Sequence, residues 1–160
     1  MAVEIERKFL VSSDQWRWDA DGNEIEGVRF CQGYLSSKPE ATVRVRMEGD
    51  TAKLTIKGKN KGLARAEFEY TIPPNEAEQL LSTLCEKPLI EKVRYCRKEG
   101  PFTWEIDVFE GDNQGLVVAE VELESENQTV NLPGWIGEEV SHDARYFNAN
   151  LVANPFKNWR

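Results

Sequence analysis

The chain has 160 residues, 30% of them charged and 40% hydrophobic, so one domain spanning 1–160 can build a core without disulfide or metal staples. Its 20 basic and 28 acidic residues leave a net charge of -8, which argues against non-specific nucleic-acid binding but leaves room for a local anion site. No apolar run reaches membrane-spanning length and the N-terminus lacks a signal-like apolar core, so no membrane partner and a cytoplasmic location are expected.

Cys31, Cys85 and Cys96 stand far apart without a CxxC pair, and His142 is the lone histidine. A zinc site is therefore not expected, and the thiols read as reduced packing residues.

The first predicted element is a strand over 3–11. Val3, Ile5, Phe9 and Val11 lie on one face, and Glu4, Glu6 and Lys8 on the other. Ser12-Ser13-Asp14 then resembles an N-cap before a short helix or turn carrying Trp16 and Trp18. A turn at Asp21-Gly22-Asn23 precedes a second strand over 28–35. The third, over 42–48, sets Val43, Val45 and Met47 against Arg44, Arg46 and Glu48, and Gly49-Asp50 has hairpin chemistry. The fourth, over 52–57, sets Ala52, Leu54 and Ile56 against Lys53, Thr55 and Lys57.

A basic loop with Lys59 and Lys61 leads to a fifth strand, where Arg65, Glu67 and Glu69 alternate with Ala66, Phe68, Tyr70 and Ile72. Pro73-Pro74-Asn75 stops it and starts a helix over 76–86, with Ala77, Leu80, Leu81 and Leu84 as its apolar stripe. The sixth strand, over 89–98, carries Lys92 and Arg94 on one face. The seventh, over 102–109, carries Glu105 and Asp107, and the eighth, over 116–124, carries Glu120 and Glu122. An irregular tail with Pro133-Gly134 ends in a helix over 144–152, begun by Ser141-His142-Asp143 and stopped by Asn154-Pro155.

Eight largely meandering strands tend to curl and close, which removes exposed edges. An ordinary barrel would turn its charges to solvent. Here the polar faces are rich in Arg and Glu and poor in Ser, Asn and Gln, and the two signs segregate. Arg44, Arg46, Lys53, Lys57, Lys92 and Arg94 occupy middle strands, while Glu4, Glu6, Asp107, Glu120 and Glu122 occupy the first and last. Facing inward, these would make a basic wall suited to a polyanion, with Arg as a forked donor to phosphate oxygens, and an acidic wall suited to Mg2+ or Mn2+.

Glu4-Ile5-Glu6-Arg7-Lys8 matches ExExK, the signature of the CYTH superfamily of triphosphate tunnel metalloenzymes. Arg44-Val45-Arg46, Leu54-Thr55-Ile56-Lys57, Arg65-Ala66-Glu67-Phe68-Glu69 and Glu91-Lys92-Val93-Arg94-Tyr95 resemble it further. So do Glu105-Ile106-Asp107, Val118-Ala119-Glu120-Val121-Glu122, and the stretch from Gly137 to Asn148. The closest likeness is to short single-domain bacterial members.

The resemblance implies a mainly β fold: an eight-stranded antiparallel closed barrel, or tunnel, with a few helices packed outside. It implies metal-site carboxylates at Glu4, Glu6, Asp107, Glu120 and Glu122. Phosphate-binding cations fall at Lys8, Arg44, Arg46, Lys57, Lys92 and Arg94, with Arg65 a further phosphate ligand and Glu67 and Glu69 on the tunnel wall.

The activity expected from it is metal-dependent hydrolysis of inorganic triphosphate to diphosphate and orthophosphate, with Mg2+ or Mn2+ as cofactor. Glu4 or Glu6 would handle the attacking water. Lys8, Lys57 and Lys92 would contribute rate rather than fold. Alternatives are a thiamine or nucleoside triphosphatase, a class IV adenylate cyclase, or a non-catalytic polyphosphate-binding module. Asp143, Arg145, Tyr146 and Asn148 are expected mainly to dock the last helix, which would plug or brace one tunnel end. The sequence does not set the oligomeric state.

Overall fold

Strands that are apolar on one face and charged on the other must separate two environments, and this sheet does so by curling until it meets itself. The computed structural model describes residues 2–159. The strands are β1 (Val3–Val11), β2 (Gly27–Lys38), β3 (Ala41–Glu48), β4 (Thr51–Gly58), β5 (Ala64–Ile72), β6 (Ile90–Glu99), β7 (Phe102–Phe109), β8 (Val117–Glu122) and β9 (Ile136–Glu139). They lie in the order β5-β4-β3-β2-β6-β7-β8-β1-β9, and a further β5–β1 pairing closes eight of them into a ring.

β1 makes the closure by dividing one of its edges. Residues 3–5 pair with 64–66 of β5, whereas Phe9 and Val11 pair with β9. Its other edge, from Glu6 to Leu10, pairs with β8. The ninth strand corrects the expected irregular tail. At four residues it is too short to show an alternation of its own, and it forms because β5 leaves part of the β1 edge unpaired.

The helices are α1 (Pro74–Thr83) and α2 (Asn148–Ala153), with single 3-10 turns elsewhere. Pro74 occupies the first helical turn, where its missing N–H costs nothing. α1 ends short of the expected residue 86 because Glu86 N–H donates to Tyr34 O on β2, drawing the chain off the helix. Leu84 consequently leaves the apolar stripe and is 66% exposed. The last helix is also interrupted: a 3-10 turn over Ala144–Tyr146 is followed by Phe147 in extended conformation before α2 begins.

Two of three apolar clusters lie outside the ring, as the charge pattern predicts. α1 covers β3 and β4 through Ala77 and Leu81 on Val45 and Ala52. Trp16 and Trp135 cover β1, β7 and β8, packing with Phe9, Trp104, Ile106 and Val121. Each such fully buried side chain contributes about 1.5–3 kcal/mol.

The third cluster departs from the expectation. Ile90, Phe109 and Val118 share the inward faces of Lys92, Asp107 and Glu120, yet pack with Tyr34, Tyr146, Leu151 and Val152, and Leu10 packs against them. One end of the ring is therefore lined by apolar residues, and the C-terminal segment seats on it. Among the described residues, no helix is long and apolar enough to cross a membrane.

Candidate active site

The ring encloses a cavity of about 690 Å³ to which all eight of its strands contribute lining residues. In a chain where acids outnumber bases, this lining reverses the balance, with nine Lys and Arg side chains against eight Glu. Cross-strand register explains how so many charges stay buried. Residues directly opposed on an antiparallel pair point the same way, so β1 brings Glu4 beside Arg65 of β5 and Lys8 beside Glu120 of β8.

On the β1 side, Lys8 Nζ donates to Glu6 Oε1 and Glu120 Oε1, both at 2.9 Å. Lys57 Nζ donates to both Glu4 oxygens, at 3.0 and 3.2 Å, and Arg65 Nε reaches Glu4 at 3.5 Å. Opposite, Arg94 grips Asp107 through two bonds of 2.7 and 2.9 Å and also reaches Glu105. Lys92 Nζ lies 2.8 Å from Asp107 and donates to Asn148 Oδ1 at 2.9 Å. Arg46 Nε donates to Glu48 at 2.7 Å. Arg44 donates to Thr55 at 3.3 Å, and its buried Nε–H has no partner among the described residues.

These pairings split the carboxylates into two kinds. Burial alone would raise Glu4, but Lys57, a hydrogen bond with Glu67 and the nearby Arg65 together outweigh it and hold the carboxyl at about 2. Asp107 is likewise held at about 2, with Arg94 and Lys92 overcoming its burial. Glu6 goes the other way: burial and the adjacent Glu120 push it up to about 7. Burial and a hydrogen bond with Glu4 also raise Glu67 to about 7. Burial and Glu4 raise Glu122 as well. Among the cations, burial and the nearby Arg94 push Lys92 down to about 7 against the pull of Asp107. Burial opposes the charge on Lys8 too, but Glu120 and Glu6 keep it well above its ordinary value.

Of the residues singled out from sequence, all but Asp107 line the cavity. Asp107 is 1% exposed, and both its oxygens are taken by Arg94 and Lys92. In this structure it is the buried counter-ion of both cations, in the layer next to the apolar end. Among the described residues no three His, Cys, Asp or Glu side chains converge as a ready-made ligand set. What remains is a wall of carboxylate oxygens, Glu6 and Glu120 joined through the Lys8 ammonium and Glu122 beside them, the donor type that suits a hard divalent cation.

Arg7 points outward and pairs with Glu139 at 2.7 and 2.9 Å. His142 is exposed and outside the lining. Sequence reasoning missed Phe30, Glu48 and Cys96 as lining residues, and cast Asn148 only as a docking residue. Glu48 shares the inward face of Arg46 and could have been found by alternation. Asn148 could not, because its position depends on the break at Phe147.

The comparisons agree with this architecture. The CYTH domain family profile matches residues 2–154, and the chain belongs to that family. It is 49% identical over 160 residues to an inorganic triphosphatase of Acetivibrio thermocellus, covering 100% of this chain and 99% of that protein. It is 39% identical over 155 residues to an inorganic triphosphatase of Nitrosomonas europaea, covering 94% and 97%. The crystal structure of an inorganic triphosphatase matches with a TM-score of 0.65 at 35% identity, over 93% of this chain and 97% of that one. A Pyrococcus horikoshii protein, 22% identical with a TM-score of 0.59, shares the fold over 78% and 80% of the two chains.

Two outcomes follow. Asp107→Asn leaves Lys92 and Arg94 without their shared anion, and in urea unfolding it should cost about 3 kcal/mol, whereas Arg7→Ala at the exterior pair should cost under about 1 kcal/mol. In EDTA, the raised carboxyls of Glu6 and Glu67 keep their protons to about 7 while the unfolded chain loses them near 4.5, so their contribution to stability falls as pH rises between those values. Glu4 and Asp107 contribute the opposite, stability present above their ordinary range and lost as pH falls toward about 2. Melting curves across pH should show both limbs, and Glu6→Gln should flatten the first.

Proposed function

We propose that the chain is a metal-dependent inorganic triphosphatase, splitting triphosphate into diphosphate and orthophosphate inside the ring. The single observation that carries the reading is the enclosed cationic wall, where nine Lys and Arg side chains line one cavity. The full-length likeness to inorganic triphosphatases supports the same substrate.

On this reading Arg44, Arg46, Arg65 and Arg94 bind phosphate oxygens through forked donors, and Lys8, Lys57 and Lys92 act as point charges along the chain. Glu6, Glu120 and Glu122 would hold Mg2+ or Mn2+. When bound, the ion supplies charge neutralisation at the phosphate oxygens and acidifies water. Glu6, at the edge of that carboxylate group, would also orient the attacking water beside the ion. Glu4, held at about 2, instead orients Lys57 and Arg65. Asp107 holds Arg94 and Lys92 in place. Catalysis is then chiefly a matter of fixing the anion in line and spreading charge that develops in the transition state.

Phosphate release should be measured with inorganic triphosphate, ATP and thiamine triphosphate, each with Mg2+, Mn2+ or EDTA. Release is expected from inorganic triphosphate with metal and should disappear in EDTA. Glu6→Gln should lower kcat by about 100-fold, and Arg44→Ala should raise KM by roughly tenfold. No release from any substrate contradicts the proposal, and cyclic AMP from ATP replaces it with a cyclase.

A further inference from the structure

The inward face of β2 is unlike those beside it. Val28, Phe30 and Tyr34 contribute to the cavity wall, and the intervening Gln32 is fully buried. None of these four is charged at neutral pH, whereas β3 and β6 on either side present Arg44 and Arg46, and Lys92 and Arg94. Phe30 stands opposite Glu48 of β3 and Lys92 of β6, so Arg46 and Arg94 are its diagonal neighbours from the two flanking strands. Both guanidiniums lie over its ring, Arg46 Cζ 4.8 Å and Arg94 Cζ 4.9 Å from the centroid.

Two buried cations meeting at one ring repel each other, and Arg46 is disfavoured by its burial and by its Arg44 and Arg94 neighbours. The negative π face of Phe30 attracts both guanidiniums and occupies the space where they would otherwise splay. Carboxylates fix them as well, Glu48 for Arg46 and Asp107 for Arg94. Each guanidinium is thus held by both an aromatic ring and an anion, which limits its rotamers before any ligand arrives.

We propose that Phe30 is a positioning residue for substrate binding, setting the separation and tilt at which Arg46 and Arg94 meet the phosphate chain. This rests on the triphosphatase reading above. The test compares Phe30→Leu, Phe30→Met and Phe30→Tyr in steady-state hydrolysis of inorganic triphosphate, with melting temperatures recorded for each.

The expected result is a KM raised about tenfold in the Leu and Met variants with kcat within about twofold, and near-normal KM in the Tyr variant, which keeps the ring. In a cycle with Arg46→Lys, the two effects should be less than additive, because Phe30 acts through Arg46. Unchanged KM in folded Leu or Met variants overturns the inference, as does unfolding of both, which would make the ring a packing element alone. A KM rise confined to ATP or thiamine triphosphate also overturns it, since the ring would then be stacking on an organic group. Wild-type protein that releases no phosphate overturns the underlying reading instead.

Discussion

A charge held inside a ring of strands must find a partner there, because burial without one costs several kcal/mol. This requirement organises the molecule. Lys8 is satisfied by two glutamates, Lys57 by Glu4, and Arg94 and Lys92 by one aspartate. Each partner sits on another strand or two residues along the same one. The Lys8–Glu120 and Lys57–Glu4 pairings exist only if β1 closes the ring onto β8 and β5 together, so the first strand completes both the ring and its charge balance. The apolar faces are left outside, where α1, Trp16 and Trp135 cover them.

The same balance explains how a charged cavity could accept a charged substrate. Arginines and lysines now satisfied by glutamates can exchange those partners for phosphate oxygens, and the released carboxylates can take a divalent cation. Glu6 and Glu120 already share one cation, the Lys8 ammonium, so on the proposed reading a divalent ion would join an anionic pair that is built around positive charge. Asp107 behaves differently, since its two cations saturate it and the apolar end of the ring lies next to it.

Strand alternation made most of this legible. The seventh strand falls on Phe102–Phe109 as expected, and nearly every inward charge was identifiable from its two-residue period. Alternation alone could not say which way those faces point; sign segregation and the ExExK resemblance supplied that. Three features lay beyond it. β9 is too short for a period and depends on where β5 stops. The end of α1 depends on a hydrogen bond to Tyr34, distant in sequence. Asp107 shares a face with Glu105, so only the register with Arg94 reveals that one is buried and the other lines the cavity. Cys96 likewise lines the cavity rather than packing in a core, because it faces inward opposite Glu105.

The central claim is that the acidic and basic walls serve one bound metal–triphosphate unit. A crystal structure with Mn2+ and triphosphate, using the anomalous signal of manganese, tests it most directly. A manganese peak is expected against Glu6, Glu120 and Glu122, with phosphate oxygens on Arg44, Arg46 and Arg94. Manganese or triphosphate bound outside the ring, with the Lys8–Glu6–Glu120 and Lys57–Glu4 pairs undisturbed, would contradict it.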